Sequence, residues 1–534
     1  MIIMGVIFLA KRAAVIFLVF AVMFCGLGVR IGNLSTESEQ AAVTRSAMSF
    51  DLATLRGTIY DCSMNPLTNG EYEIYAAAKP TNEALAQLKK MLLPEVFDSV
   101  MERMSAGKPV AVKVDSISSC SDIRAVTVPK RYYDTLACHI IGYRNSEGEG
   151  VSGIEKAYDE LISSEISTAR VRFFSNAKGR VMLGEDISAE GCSAPKSGVV
   201  LTIDKEIQQI TENALDNSGA ECAAAVVMDI ESGAIRACVS RPAFSRDNLS
   251  ESLENENSPL INRAFLPFSV GSVFKPVVAA AAIESGITDF EYNCTGSVTH
   301  NGVTFNCHKE DGHGVLDMRG AVAVSCNTYF IALAIETGRE KIIETAKAFG
   351  FGTETELADG MKSSAGYLPD VSELDSKAAI ANISFGQGSL LATPVQICAM
   401  MAAIAGGGVY VKPYLIEGEV DSEGEMTKIK AYAERRQIIS ESTAERLWDY
   451  LEAVVAEGSG KRAASDFVAV AGKTATAQTG KSENGEEIYN AWFAGYFPAD
   501  NPKYAVAILK EDGGEGAISC APVFKEIAEG ISLK

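Results

Sequence analysis

The chain has 534 residues, 48 basic against 69 acidic, and a formal net charge of −21 at pH 7. That length allows two or three domains, and the acidic balance excludes nucleic acid or an anionic membrane surface as the main partner. Four histidines provide neither a His-Glu-x-x-His motif nor a convincing Ser-His-Asp set.

Residues 13–29, AAVIFLVFAVMFCGLGV, are apolar throughout, near the lower limit for crossing a bilayer. Lys11 and Arg12 precede them, while Glu37 and Glu39 follow Arg30, so the positive-inside bias puts the N-terminus in the cytoplasm and the bulk of the chain outside. A cleaved signal peptide is the competing reading, but Phe24-Cys25-Gly26-Leu27 is a poor cleavage site and Phe24 does not suit a lipoprotein cysteine. Residues 1–30 are therefore read as a cytoplasmic tip and an uncleaved single-pass anchor.

Residues 35–55 read as polar and helical. Residues 56–76 alternate like strands around Ile59 and Tyr72 to Tyr75, with turns expected at Asn65-Pro66 and Asn69-Gly70. A helix broken at Pro94 is expected over 82–104, short strands over 109–145, and a strand, glycine-rich loop and helix over 139–162. This part, 31–197, reads as an extended mixed module without a large core of its own. Composition shifts near Ser193 to Ser197. A strand and a polar-faced helix follow Val199, and residues 223–240 form a hairpin turning at Glu231-Ser232-Gly233. Helices are expected over about 315–348 and 393–406, strands at 467–475, 488–497 and 503–510, and a closing helix from about 521. Strands at both ends of a helical middle predict one antiparallel sheet flanked by helices over 198–534, an α+β fold.

Ser-x-x-Lys occurs at Ser105–Lys108, Ser175–Lys178, Ser193–Lys196 and Ser272–Lys275. Only the last runs into a helix-length apolar segment, Val277 to Ile283, closed by Gly286. Pro276 is tolerated only near a first turn, so the helix is expected to start at about Ser272, with Ser272 and Lys275 on one face. Alone, the segment also reads as a capping serine with a snorkelling lysine. Three further segments follow in order: Ser325-Cys326-Asn327, the glycine-rich FGQGSLLATPVQ ending in a good helix start at Thr393-Pro394, and Lys473-Thr474-Ala475-Thr476 at a strand. Strand alternation sends Lys473 and Ala475 one way and Thr474 and Thr476 the other. Each has an ordinary structural reading, as cap, turn or solvated edge. Gly458-Ser-Gly-Lys461 fails as a phosphate loop, because Arg462 follows and the leading glycine is absent.

Twelve cysteines are scattered rather than packed into a small scaffold. Cys294, Cys307, His308 and His313 are close in sequence but lack a close-spaced first cysteine pair, so a local Cys294–Cys307 disulfide or free thiols is expected ahead of zinc. No metal and no cofactor are expected.

In order, the three motifs are those of serine–lysine acyl transfer. With Arg56-Gly57-Thr58-Ile59-Tyr60-Asp61, GYRNSEGEGVSGIEKAYD, LTIDKEIQQITENAL, NRAFLPFSVGSVFKP and AWFAGYFP (491–498), the chain resembles a class B penicillin-binding protein over most of its length. The resemblance implies an anchor, an N-terminal pedestal and a transpeptidase domain of the penicillin-binding and β-lactamase type. It implies that Ser272 attacks the bond between two terminal D-alanines of a peptidoglycan stem peptide, with Lys275 as base. Ser325 would relay a proton, Asn327 would hold the peptide amide, Lys473 would crowd Lys275 as a second cation, and Lys473, Thr474 and Thr476 would bind the terminal carboxylate. Implied partners are stem peptides, β-lactams, the membrane through one helix, and a polytopic glycosyltransferase of the SEDS type. Three departures stand out: Ala475 where the family usually has glycine, Val270 for proline, and Cys62 for a charged residue. Ala475 narrows the expected groove. A β-lactamase shares the three motifs, but its Glu-x-x-Leu-Asn segment is not apparent. A β-lactam sensor without turnover would need a signalling module that the short N-terminal tip cannot hold.

Overall fold

A computed structural model describes residues 2–43, 46–118, 120–132, 135–176, 180–246, 248–300, 302–429, 434–483 and 485–534. Positions 44–45 of the expected helical stretch 35–55, and 119, 133 and 134 of the expected strands at 109–145, lie outside the described residues. Helix α1 (Ile2–Val43) contains a 21-residue apolar span, Ala13–Asn33, with mean hydropathy 2.5. At 1.5 Å per residue that is about 30 Å, the thickness of a bilayer's hydrocarbon core.

The remainder divides into two compact units. One comprises Tyr72–Pro129, Ser167–Ala194 and the chain up to Leu55. It is built on two three-stranded sheets, one of Ser46–Arg56, Ile166–Ser175 and Ser188–Glu190, the other with Thr68–Ala78 between Val110–Val114 and Ile123–Tyr132. Alternation along the central strand divides its core: Ala77 joins Leu55, Val126, Val171 and Phe173, while Ala76 and Ala78 join Leu88, Val100 and Met104. Pro94 does separate two helices, Asn82–Met91 and Pro94–Ser105. Residues 46–55, expected to be helical, are strand. Their polar positions alternate with Met48, Phe50 and Leu52, which pack on the core, so the period is two rather than 3.6.

The second unit comprises Arg56–Glu71, Lys130–Ile166 and Pro195–Lys534. Asn69-Gly70 is not a hairpin turn here. Asn69 lies inside a strand with φ +64°, and its side-chain amide donates to Arg56 O (3.0 Å) and Thr58 Oγ1 (2.9 Å). The expected strand at 139 is a buried helical turn, Cys138–Ile141, because a short apolar run does not tell strand from buried helix. Two stretches distant in sequence meet in this unit. Buried Arg56 bonds Asp159 Oδ1 (2.6 Å), and fully buried Glu155 accepts from Arg131 Nε (2.9 Å) and Tyr132 OH (3.0 Å) while lying 3.8 Å from Arg56.

The principal sheet uses β1 (Ala223–Asp229), β2 (Ile235–Arg241), β3 (Ala471–Glu483), β4 (Glu486–Phe497) and β5 (Tyr504–Lys510), in the order β2-β1-β5-β4-β3, all antiparallel. In β1 every residue from Ala223 to Met228 is buried, so both faces are covered. Helices α2 (Lys205–Asn217) and α7 (Ala521–Ser532) cover one face through Leu215, Phe524 and Ile527. The other face receives α3 (Lys275–Glu284), α4 (Asn327–Thr337), α5 (Pro394–Ala405) and α6 (Glu441–Ala456). Helix α5 is buried on all sides, and its start is over-determined. Pro394 occupies the first position, and Thr393 and Gln396 exchange side-chain and backbone bonds of 2.9 and 3.1 Å in a capping box.

Candidate active site

Ser272 lies three residues before the α-helix rather than at its start. Gly271–Phe274 forms a 3₁₀ turn, and α3 begins at Lys275 with Pro276 in its first turn. In a 3₁₀ turn, side chains three apart eclipse, which puts half-buried Ser272 and Lys275 on one side. Gly271 has φ +63°, and its N–H donates to Gly386 O (2.8 Å). A Cβ there would meet Ala477 Cβ at 3.0 Å and Ala475 Cβ at 3.3 Å, so only glycine lets the turn sit on β3. Gly386 is equally confined, since its Cβ would fall 2.0 Å from Gly271 O. The incoming chain is fixed by Trp492, whose indole N–H donates to Ser269 O (2.9 Å).

Lys275 is wholly buried. Its Nζ donates to Ser325 O (2.7 Å), Ser325 Oγ (3.1 Å) and Asn327 Oδ1 (2.8 Å), and lies 5.5 Å from the Phe330 ring centroid. Burial pulls its pKa down to about 7. Lys473, equally buried, donates to Ser325 Oγ (2.9 Å) and Thr474 O (3.0 Å), and burial followed by the nearby charge of Lys275 holds it well below the ordinary lysine range. Ser325 has φ +58°, a strained position for a residue with a Cβ. A hydroxyl has two acceptor lone pairs, and here both lysines occupy them. The Ser325 proton is thereby directed away from both. Asn327, at the start of α4, turns its carbonyl oxygen to Lys275, which leaves its amide N–H groups for another partner.

The β3 residues divide unevenly. Lys473 and Ala475 are buried, as is Thr474, whose Oγ1 is 2.8 Å from Ser459 Oγ; Thr476 is exposed and accepts from Gly516 N–H (3.4 Å). The Ala475 methyl lies under Gly271 rather than in an open groove. Ser272, Lys275, Ser325, Asn327 and Lys473 are thus gathered at the junction of α3, α4 and β3. Thr474 and Thr476 stand beside them on the strand.

Sequence reasoning missed two neighbours. Ser459, within the discarded Gly458-Ser-Gly stretch, faces Thr474, and its N–H is tied to Ala323 O (3.0 Å). The other is Cys326, in sequence only the middle of Ser-Cys-Asn. Its Sγ lies 3.8 Å from Cys307 Sγ, and Cys294 and Cys307 are free thiols rather than a disulfide.

Comparison with known proteins identifies the family. The penicillin binding protein transpeptidase domain matches residues 223–529, more than half of the chain. Stage V sporulation protein D of Bacillus subtilis is 30% identical over 459 residues, spanning 81% of this chain and 69% of that protein. Penicillin-binding protein PbpB of Mycolicibacterium smegmatis is 31% identical, spanning 85% and 72%. Peptidoglycan D,D-transpeptidase FtsI of Escherichia coli is 28% identical, spanning 75% and 67%. Among solved structures, the D,D-transpeptidase domain from Eggerthella lenta superposes with TM-score 0.65 at 26% identity, covering 89% of this chain and 98% of its own. Penicillin binding protein 3 of Mycobacterium tuberculosis with ampicillin superposes with TM-score 0.66 at 25% identity, covering 91% and 95%. The chain belongs to the class B penicillin-binding proteins, the serine D,D-transpeptidases that cross-link peptidoglycan and bind β-lactams.

Proposed function

We propose that Ser272 is the acylated residue, that Lys275 is its base, and that Ser325, Asn327, Lys473, Thr474, Ala475 and Thr476 complete the substrate site. The observation that carries this reading is the placement of Lys275, with a pKa of about 7, against Ser325 and Asn327. A base titrating near the working pH is the efficient one. Neutral Lys275 takes the Ser272 proton as Oγ bonds the carbonyl carbon of the penultimate D-alanine. The C–N bond then breaks, and the proton passes through the outward Ser325 hydroxyl to the departing amine. Backbone N–H groups of Ser272 and Thr476 receive the oxyanion, each such donor being worth ~3 kcal/mol. Lys473 and the two threonines receive the terminal carboxylate. The amine of a second stem peptide attacks the ester by the same route in reverse. Its proton returns to Ser272, leaving a cross-link.

In this reading residues 1–30 anchor the chain with the catalytic unit outside the cytoplasm, residues 31–197 form a pedestal whose segments Arg56–Glu71 and Lys130–Ile166 belong to the compact unit of the C-terminal part, and 198–534 form the transpeptidase domain. The membrane partner is a polytopic glycosyltransferase. Labelling of membranes with a fluorescent penicillin tests the nucleophile. Wild type acquires a covalent label and Ser272→Ala does not; a labelled mutant overturns the assignment. Slow loss of that label separates a transpeptidase from a β-lactamase, which sheds it within its turnover time. Label acquired by intact cells from an impermeant penicillin places the domain outside.

A further inference from the structure

Four sulfur and nitrogen ligands converge behind the Ser-Cys-Asn turn. Cys294 ends the strand Tyr292–Cys294, Cys307 follows the strand Val303–Asn306, His313 precedes the strand Gly314–Leu316, and Cys326 caps α4 between Ser325 and Asn327. Cys294, Cys307 and Cys326 are buried, His313 half-buried, and their ligand atoms all lie within 4.8 Å of one another. We propose that Cys294, Cys307, His313 and Cys326 bind one zinc ion tetrahedrally and thereby hold the turn that carries Ser325 and Asn327.

The distances fit the metal. Zinc–sulfur bonds of about 2.3 Å and zinc–nitrogen bonds of about 2.0 Å, at tetrahedral angles, separate two sulfurs by about 3.8 Å and sulfur from nitrogen by about 3.6 Å. The Cys307 and Cys326 sulfurs are 3.8 Å apart, and His313 Nδ1 is 3.5 Å from both Cys294 and Cys307. A disulfide would bring one pair to about 2.05 Å. Hydrogen-bond donors also stand around the sulfurs. Backbone N–H groups of Lys309 and Asn327 point at Cys307 Sγ, that of Tyr329 at Cys326 Sγ, and the Thr328 hydroxyl stands 3.4 Å from Cys326 Sγ. Three thiolates and an imidazole in a closed tetrahedral set select zinc over the harder cations. His308 is excluded: its Nδ1 is 3.9 Å from Cys307 Sγ, and its ring packs against His313. The sequence set of Cys294, Cys307, His308 and His313 has no close-spaced cysteine pair; in the fold a helix cap supplies Cys326 in place of His308, from 13 residues beyond His313.

Cys326 is a positioning residue. Ser325 is held at φ +58° and Asn327 begins a helix, so the residue between them fixes both side chains that Lys275 contacts. This role rests on the function proposed above; the metal site itself does not.

The test uses the full chain purified under reducing conditions without added chelator. Elemental analysis should give one zinc per chain for wild type and for Ser272→Ala, which loses labelling but keeps the metal. Cys294→Ser, His313→Ala and Cys326→Ser should fall well below half a zinc per chain, and His313→Cys should retain it. Where a variant misfolds, wild type decides. Cobalt(II) exchanged into it should show the intense visible absorption of tetrahedral thiolate ligation, and chelation should slow penicillin acylation at least tenfold until zinc is restored. Wild type that neither carries nor takes up zinc overturns the site, as does a Cys307–Cys326 disulfide in the active protein. Zinc present but irrelevant to acylation overturns the positioning role alone.

Discussion

At the scale of single residues, the chemistry turns on which lysine carries a proton. Three acceptors surround Lys275 Nζ, and an ammonium group has three N–H bonds to give them. Taking the Ser272 proton requires the neutral form, with two N–H bonds and a lone pair free. Burial supplies the bias: the charged form is destabilised until the pKa reaches about 7. Lys275 is depressed from its ordinary value, so its base form is scarce below pH 7 and predominant above it. Acylation by a penicillin should therefore rise with pH through about 7 and level off above. The second-order rate of label incorporation between pH 5 and 9 measures this, and a rate that falls across that range would count against Lys275 as base. Ser325 lies between both lysines, so Ser325→Ala removes the relay and an acceptor from each. A relayed proton transfer contributes about 10²–10⁴-fold. Cross-linking should fall by that factor, while Ser272 stays labelled on prolonged exposure to penicillin.

At the scale of elements, the sequence foretold most of what positions those residues. The hairpin of β1 and β2, the strands β4 and β5, the Pro394 helix start and α7 followed from alternation, turn chemistry and caps, whereas β3 runs over Ala471–Glu483 rather than 467–475, so Lys473 to Thr476 lie near its start and not at its end. The failures are physical as well. A buried turn such as Cys138–Ile141 has no exposed face to set its period, and Asn69-Gly70 spends its left-handed residue inside a strand. Likewise the start of α3 looked like a plain N-terminus, whereas the approach of Gly271 to β3 tightens it into a 3₁₀ turn. That approach makes two opposite predictions. Gly271→Ala adds a Cβ at positive φ into Ala475 and Ala477, so label incorporation should drop at least tenfold and stability by about 1–3 kcal/mol. Ala475→Gly restores the residue usual in the family, yet its methyl fills space under Gly271. It should cost about 0.5–1 kcal/mol in thermal unfolding and leave penicillin acylation within a few-fold of wild type. A large gain in acylation would show that the methyl obstructs the groove after all.

At the scale of the whole molecule, what the sequence hides is which distant segments touch. The Arg56 and Glu155 stretches were each legible as landmarks, but nothing in either announces that they pair across about a hundred residues. Residues 3%, 10% and 0% exposed (Arg56, Arg131 and Glu155) form this cluster, with Asp159 completing it at the surface. Its energetics differ from those of a surface pair. Two guanidinium groups removed from water are tolerated because Glu155 pairs with Arg131 and Asp159 with Arg56, which Glu155 also approaches to 3.8 Å, so losing Glu155 leaves Arg131 uncompensated where water scarcely reaches. Glu155→Gln preserves volume and removes the charge. It should cost about 3–5 kcal/mol, about 4–6 °C in the midpoint of unfolding for a unit of this size. The control is Arg319, which bonds Asp449 at 3.1 Å with both side chains about half exposed. Screening and side-chain entropy there reduce the pair to under about 1 kcal/mol, so Arg319→Ala should melt within a few degrees of wild type. Calorimetry of the two variants at 0.05 and 0.5 M salt separates the cases. The Glu155→Gln deficit should persist at high salt while the Arg319→Ala deficit shrinks, because ions screen the exposed pair and not the buried one. Equal deficits would mean that the cluster is no more than a surface ion pair, and that the association of these segments rests on Ile59, Ile154 and Ile162 in the apolar core beside it.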